Sequence, residues 1–182
     1  MNAKLMKETV DVPQGITVNI SGSVVKLKGP KGELTRELRF PKIEIESKDG
    51  KIEVRAKDAT KKEKTIIGTY AAHLKNMVIG VSEGYTYTLK VCSGHFPMNV
   101  AIIGKVFSVK NFLGEKIPRE LIIKDGVTVK LEGDIIAVES IDKELAGQVA
   151  GAIEILTRVS GKDRRIFQDG IYITQKGNKK IE

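Results

Sequence analysis

Few residues in this chain have side chains whose type and spacing could do chemistry. Cys92 and His95 stand three residues apart in a Cys-Ser-Gly-His segment, and a thiol beside an imidazole supplies a nucleophile and its base. The sequence shows no third group to orient that base and no oxyanion site. His73, on a predicted helix, is the one other histidine, which argues against a Cys/His metal site. We therefore expect no catalytic residue, no metal site, no cofactor and no small-molecule substrate.

A second segment, Gly29-Pro30-Lys31-Gly32, resembles a fragment of a phosphate-binding loop. It lacks the Gly-Lys-Ser/Thr ending through which such loops hold phosphate and a metal ion. A tight turn within a hairpin is the alternative, and it is the interpretation that we favour.

Charge is the more informative property of the composition. The 182 residues include 31 Lys and Arg against 23 Asp and Glu, a formal net charge of +8. Such an excess indicates a polyanionic partner, although a solubilising surface is the alternative. Cys92 is the only cysteine, which is typical of a reducing compartment. The first residues contain no apolar run of a signal peptide, and no segment approaches the roughly 20 apolar residues that span a bilayer. We expect a cytoplasmic protein that does not enter a membrane.

The sequence repeats itself at an offset of 82 residues, which predicts a duplicated domain. The matching positions are Val18, Ile20, Gly22, Val24, Leu27, Lys28, Gly32 and Glu33 against Val100, Ile102, Gly104, Val106, Val109, Lys110, Gly114 and Glu115. One inserted residue then aligns Arg36-Glu37-Leu38 with Arg119-Glu120-Leu121, and Gly50 with Gly133, at an offset of 83.

Each copy reads as alternating strands followed by one amphipathic helix. Glycine marks the predicted turns at Lys31-Gly32, Asp49-Gly50, Asp125-Gly126 and Glu132-Gly133. Thr60 has the spacing of a capping box and Asp142 is a plausible N-cap, while Gly80 and Gly161 stand where the two helices should end. The predicted fold is α+β, with two tandem copies of a small module, each an antiparallel sheet with one helix on a face. We expect modules at residues 1–82 and 83–160, and a basic extension at 161–182 packed on the second module.

The extension is where an RNA-binding role is clearest. Residues 158–182 carry a net charge of +4, whereas residues 83–157 carry −2. A disordered basic arm would lack the apolar residues of this segment, so we expect Phe167 and Tyr172 to anchor it and hold its cations in place. Aromatic residues are scarce and there is no Trp, which favours contacts to phosphate over a sheet that stacks successive bases. The predicted RNA-binding residues are Lys162, Arg164, Arg165, Lys176, Lys179, Lys180, His95, Lys105 and Lys110. Lys26, Lys28 and Lys31 form either a second such face or the solvated side of an ordinary strand.

Three segments of the sequence resemble the archaeal and eukaryotic form of the large-subunit ribosomal protein family L-six. The most specific is Arg165-Ile-Phe-Gln-Asp-Gly-Ile-Tyr-Ile173 followed by Lys176, and the others are Cys92-Ser-Gly-His-Phe-Pro-Met-Asn99 and the opening strands VPQGITVNISGSVVKLKGPKG. The Tyr-Lys-Gly-Lys-Gly pattern of the bacterial form is absent.

The resemblance implies a non-enzymatic rRNA-binding protein of the large subunit, built from two similarly folded modules. It also implies a position near the sarcin–ricin loop and the base of the factor-recruiting stalk, with neighbouring ribosomal proteins as partners. In that family the C-terminal module and its tail carry most of the rRNA contact. The competing hypothesis is an RNA- or protein-interaction module that works outside the ribosome.

Overall fold

The computed structural model describes residues 6–48, 50–57, 59–177 and 179–180, and for Lys180 the backbone alone. It divides into two compact units, Met1–Gly84 and Tyr85–Glu182. The sequence placed the join between residues 82 and 83, two residues earlier. In the described part of the chain no helix is long and apolar enough to cross a membrane.

The described residues of the first unit form six strands and one helix. They are β1 (Met6–Asp11), β2 (Thr17–Ser21), β3 (Val24–Gly29), β4 (Gly32–Glu37), β5 (Ile43–Lys48), β6 (Lys51–Ala56) and α1 (Lys61–Ser82). The strands form two antiparallel sheets with the orders β1-β6-β5 and β2-β3-β4. Ile67 and Leu74 of α1 are buried in one cluster with Ile52 and Val54 of β6, since the helix turns its apolar stripe onto the sheet.

The ends of α1 are set by local chemistry. Thr60 caps the helix, and its backbone N–H donates to Glu63 Oε2 at 2.9 Å, which completes the predicted capping box. The prediction that Gly80 ends α1 is wrong, because Gly80 is buried inside the helix. Gly84 takes the left-handed conformation at φ +81° just beyond the helix, and its N–H donates to the Ile79 carbonyl at 3.2 Å.

In the second unit, eight strands and one helix lie within the part of the chain that the structure describes. They are β7 (Tyr85–Cys92), β8 (Asn99–Ile103), β9 (Val106–Lys110), β10 (Arg119–Ile122), β11 (Val127–Glu132), β12 (Ile135–Ser140), α2 (Lys143–Leu156), β13 (Gly170–Lys176) and β14 (Lys179–Lys180). The sheet orders are β11-β12-β7-β13-β14 and β10-β9-β8. Asp142 caps α2 as predicted, through a hydrogen bond from Glu144 N at 2.8 Å. The helix ends at Leu156, so the prediction that it continues to Gly161 is wrong.

The two units repeat one fold, which confirms the predicted α+β class with two tandem modules, although the strands of each module form two sheets. The β2–β3 and β8–β9 hairpins correspond at the predicted offset of 82. Gly22 and Gly104 occupy the same turn position at φ +62° and +60°, where only glycine is unstrained.

Beyond these hairpins the predicted alignment is wrong. Residues 30–31 join β3 to β4, whereas residues 111–118 join β9 to β10, so Gly114 is not the equivalent of Gly32. Leu38 N donates to Ser23 O, and Ile123 N donates to Lys105 O, at 2.7 and 2.8 Å. These matching bonds set the offset at 85 in this region.

The same comparison corrects two further matches. Arg36 pairs with Val25 in the first unit, and Leu121 pairs with Phe107 at the same place in the second. Arg36 therefore corresponds to Leu121 and not to Arg119. Gly50 directly precedes β6, whereas Gly133 lies two residues before β12, so their alignment is wrong by one residue. Asp49 of the predicted Asp49-Gly50 turn lies outside the described residues.

The Gly29–Gly32 segment is the tight turn favoured above. Gly29 pairs with Gly32, and Lys31 N donates to the Val81 carbonyl at the end of α1 at 3.0 Å. A Cβ added at Gly29 would lie 2.6 Å from the same carbonyl oxygen. The glycine therefore serves close packing of the hairpin on the helix.

Candidate nucleic-acid interface

The tail of the second unit is part of its sheet. β13 pairs antiparallel with β7, and the Ile171 side chain is fully buried in the core of the unit. On the other edge of β13 the N–H of Ile171 donates to Thr157 Oγ1 at 2.9 Å, and that of Ile173 to Glu154 Oε1 at 3.2 Å. Side chains of α2 and the residue after it thus satisfy donors that an edge strand would otherwise leave open.

Asp169 joins the tail to the loop that follows β7. Its carboxylate accepts hydrogen bonds from Gly94 N at 2.6 Å, His95 N at 2.9 Å and His95 Nδ1 at 2.6 Å, and the residue is 2% exposed. Burial disfavours the charged form, but the hydrogen bonds from His95 and Gly94 outweigh it and hold the pKa of Asp169 below its usual range. The carboxylate is therefore ionised at neutral pH, which fixes His95 Nδ1 as a donor.

Phe167 and Tyr172 hold the tail in different ways. The Phe167 ring is half-buried against the core of the unit and stacks on His95, with ring centroids 4.6 Å apart. Tyr172 is 38% exposed, and its hydroxyl donates to the Gln168 carbonyl at 3.1 Å. Its ring lies over Gly170, where an added Cβ would approach within 3.1 Å.

A third segment, the insertion at residues 111–118, supports the same loop. Asn111 Nδ2 donates to Pro97 O at 3.0 Å, and the Phe96 ring lies 3.6 Å from the position of a Cβ at Gly114. The insertion thereby contacts the loop at Phe96 and Pro97, directly after the two residues that Asp169 holds. We call the residues 93–98, 110–117 and 162–169 the three-segment surface.

Arg119 fixes the insertion to the end of α2. Its guanidinium pairs with both carboxylate oxygens of Glu115, at 2.8 and 2.6 Å, and donates to the Leu156 carbonyl at 2.7 Å. Its Cζ also lies 4.3 Å from the centroid of the buried Phe112 ring. Only a planar fork can make these contacts together, so Arg119 has a structural role.

The structure brings five of the predicted RNA-binding residues into the three-segment surface, and they are Lys162, Arg164, Arg165, His95 and Lys110. Lys162 Nζ lies 4.7 Å from the Phe167 ring centroid. Arg165 is 90% exposed and pairs with Asp163 at 2.9 Å, an exposed ion pair that costs little to break. Lys116 and Ile117 are also exposed there, and the sequence analysis did not single them out.

The remaining predicted cations lie elsewhere on the second unit. Lys105 is in the β8–β9 turn and pairs with Asp125, about 16 Å along the hairpin from Lys110. Lys176 and Lys179 lie at the far end of β13, and about 20 Å of extended strand separates Lys176 from Gly170. The Lys180 side chain lies outside the described residues.

Sequence reasoning missed two residues of this region. The sequence analysis named Asp169 only as part of the tail motif and gave it no role, because its partners are more than 70 residues away in the chain. Lys90 of β7 is exposed and lies directly opposite Tyr172 in the β7–β13 pair. The charge of Lys90 lies beside the tail because of the register in which β7 pairs with β13, and that register cannot be predicted from the sequence.

The Cys92–His95 segment does not assemble the parts of a nucleophilic site. Asp169 does supply, at His95 Nδ1, the orienting group that the sequence did not show, but within the described ranges no hydrogen bond joins the Cys92 thiol to the imidazole. The same residues contain no cluster of His, Cys, Asp and Glu that could hold a metal ion.

Comparison with known proteins supplies the family. The profile of the family described as Ribosomal protein L6 matches residues 12–84 and 96–170, one match for each unit. The chain is 44% identical over 177 residues to the large ribosomal subunit protein uL6 of Methanococcus vannielii, covering 97% of both chains. It is 44% identical over 173 residues to the protein of the same name from Methanosarcina mazei, covering 95% of this chain and 98% of that one. For the protein of that name from Methanothrix thermoacetophila the identity is 46% over 167 residues, covering 92% and 95%. The chain belongs to the ribosomal protein L6 family, in its archaeal form.

Proposed function

We infer that this chain is a structural constituent of the large ribosomal subunit. The observation that carries the inference is identity of 44% to 46% with proteins named for that subunit, over at least 92% of this chain. Membership of the family also confirms the prediction that the chain is not an enzyme. Ribosomal RNA and other ribosomal proteins are then its partners, and the ribosome is its location in the cell.

We propose that the three-segment surface is the main rRNA contact. It gathers cations on three segments whose backbones are held by Asp169 and Arg119. Cations on a rigid frame bind phosphate at a lower entropic cost than cations on a mobile arm. Lys90 and the cations at the far end of β13 extend the basic surface along the sheet, while Lys105 would contact RNA separately.

The finer position is also a proposal. The tail and the His-Phe-Pro segment, residues 95–97, both resemble the family, and this resemblance supports a site near the sarcin–ricin loop and the base of the stalk. In that position the protein would support the region where translation factors dock, in the cytoplasm, beside the ribosomal proteins of the stalk base.

The competing function is an interaction module outside the ribosome. Sedimentation of cell extract through a sucrose gradient after a moderate-salt wash separates the two. A structural constituent sediments with the large subunit, and a protein that appears only in the light fractions would overturn the proposal.

The binding surface is tested by the salt dependence of rRNA binding in two matched variants. Arg164→Ala removes an exposed cation from the three-segment surface, and Lys28→Ala removes an exposed cation from β3 of the first unit. Log affinity falls as log salt rises, and each lost phosphate contact reduces the steepness of that fall by roughly 0.7 to 0.9. We expect the shallower salt dependence for Arg164→Ala alone. If Lys28→Ala shows it instead, the contact lies in the first unit.

A further inference from the structure

A cleft of about 620 Å³ opens within the three-segment surface, between residues 93–95 and residues 166–169. The loop Cys92–His95 forms one side of it, the turn Ile166–Asp169 forms the other, and the Tyr172 ring forms a wall. The contacts to phosphate proposed above do not use this cleft, because none of the described residues that line it is a lysine or arginine.

The walls of the cleft are fixed before any ligand enters. Asp169 ties its two sides together through the three hydrogen bonds to Gly94 and His95. The Tyr172 ring is held by its hydroxyl on the Gln168 carbonyl and by its packing over Gly170. A ligand would therefore meet a preformed cavity, the usual character of a specific site.

The interior of the cleft is unsuited to phosphate. The ionised Asp169 carboxylate lies in its lining and repels anions. His95 donates from Nδ1 to that carboxylate, so Nε2 is the ring nitrogen that this bond leaves for a ligand. The exposed face of Tyr172 and the 64% exposed Ile166 side chain are apolar. A flat, uncharged group fits these walls.

The surroundings of the cleft have the opposite character. Lys162 Nζ lies over Phe167, which is stacked on His95, and the positive charge of Arg164 acts on Tyr172. Lys90 lies opposite Tyr172 on the neighbouring strand. The cleft, whose lining carries the Asp169 carboxylate, thus has cations beside it, and a nucleotide strand presents the matching pattern of an uncharged base between charged phosphates.

We propose that the cleft takes one unpaired base of RNA, stacked on Tyr172, with the adjoining phosphates held by Lys162, Arg164 and Lys90. This inference rests on the proposed function, since it assigns a particular contact to the same RNA-binding surface. A base inside a duplex cannot enter the cleft, so the nucleotide is a bulged or looped one.

The test uses the full chain bound to large-subunit rRNA and two kinds of footprinting. Hydroxyl radicals report protection of the backbone, and reagents that modify Watson–Crick edges report protection of single bases. We expect one unpaired base, within the backbone footprint, to be protected by the wild type and by Tyr172→Phe, which keeps the aromatic ring. Tyr172→Leu should expose that base again and weaken binding roughly 5- to 150-fold, the loss of one stacked base, about 1 to 3 kcal/mol.

A second variant keeps the test valid if Tyr172→Leu does not fold. Ser93 is exposed and lines the cleft, so Ser93→Leu fills the space without removing a described contact. It should expose the same base while the distant backbone protection persists. A backbone footprint with no base that depends on Tyr172 or Ser93 overturns this inference alone. Absence of any footprint for the wild type overturns the proposed function as well.

Discussion

Removing the Asp169 carboxylate should loosen the second unit and leave the first unit unchanged. Asp169→Ala deletes the acceptor of three hydrogen bonds at 2.6, 2.9 and 2.6 Å in a residue that is 2% exposed. The loop from Gly94 to His95 then loses its tie to the tail, and the stack of His95 on Phe167 loses its support.

The magnitude follows from the number and environment of these bonds. A hydrogen bond to a charged group contributes about 1.5 to 3 kcal/mol, so three would sum to roughly 4.5 to 9 kcal/mol. The backbone groups of Gly94 and His95 belong to exposed residues, and water can replace the lost acceptor. We therefore expect a smaller loss, about 3 kcal/mol in the free energy of unfolding of the second unit.

Asp163→Ala is the matched control. Asp163 is an aspartate of the same tail, and its ion pair is with the 90% exposed Arg165 side chain. Such a pair contributes about 0 to 1 kcal/mol, so this variant should unfold almost as the wild type does.

Urea unfolding is monitored by amide hydrogen exchange. Exchange rates are measured for each residue, so the stability of the second unit is obtained separately from that of the first. Asp169→Ala should speed exchange at the His95 amide and at the core amides of β7 and β13, and leave those of α1 unchanged. If Asp169→Ala costs no more than Asp163→Ala, the carboxylate does not hold the loop and our reasoning about the interface is wrong.

The lowered pKa of Asp169 gives this contribution a pH dependence. The stabilisation is fully present above the unfolded value of about 3.9 and is lost as pH falls through the lower folded value. The advantage of the wild type over Asp169→Asn should therefore shrink as the pH falls below about pH 4. Urea titrations at each pH measure it, and an advantage that persists unchanged well below the unfolded value would contradict the assignment.

Two further predictions concern packing. Arg119→Lys keeps the charge but loses the paired contact to Glu115 and the bond to the Leu156 carbonyl, so it should cost roughly 1.5 to 3 kcal/mol in urea unfolding. A lysine variant as stable as the wild type would refute the structural role of the fork. Gly29→Ala places a Cβ 2.6 Å from the Val81 carbonyl oxygen in the last turn of α1 and should lower stability by about 1 to 3 kcal/mol. Gly68→Ala is its control, because an added Cβ at this mid-helix position meets nothing within 4 Å. This substitution should raise stability by roughly 0.5 to 1 kcal/mol. Equal effects of the two alanine substitutions would show that the structure around Gly29 relaxes to remove the clash.

The sequence was sufficient wherever the deciding interaction is local. Thr60 and Asp142 were found as caps because a cap and its partner lie within three residues of each other. The end of α1 was misplaced because burial of Gly80 among core side chains favours helix over the intrinsic preference of glycine. Such a tertiary effect leaves no mark in the local sequence.

The repeat shows a related limit. Arg36 and Arg119 match in the sequence because each stands in an Arg-Glu-Leu triplet. The register of the strands instead aligns Arg36 with Leu121, because the insertion after β9 shifts the second copy relative to the first. Arg119 is the first residue of β10 and holds the insertion through Glu115, so its role has no counterpart in the first unit, where two residues join the corresponding strands.

The site was predicted in outline and not in its geometry. The tail and the His-Phe-Pro segment were both singled out, but nothing in the sequence brought Asp169 to His95 or Lys90 to Tyr172. Contacts over such separations depend on the pairing of β7 with β13, and that pairing is a property of the whole unit.

The pairing of β13 with β7 also sets the order of events during synthesis. β7 ends at Cys92, but the strand that covers its second edge begins only at Gly170. At a translation rate of about 5 to 20 residues per second, roughly 4 to 16 s separate the emergence of the two strands. All described strands of the first unit emerge before β7 does, so that unit can complete its sheets early. The nascent second unit, by contrast, carries an open strand edge until its last long strand has emerged, and unpaired edges are where chains aggregate. Prompt capture of the growing chain by a chaperone or by rRNA would protect it during this interval.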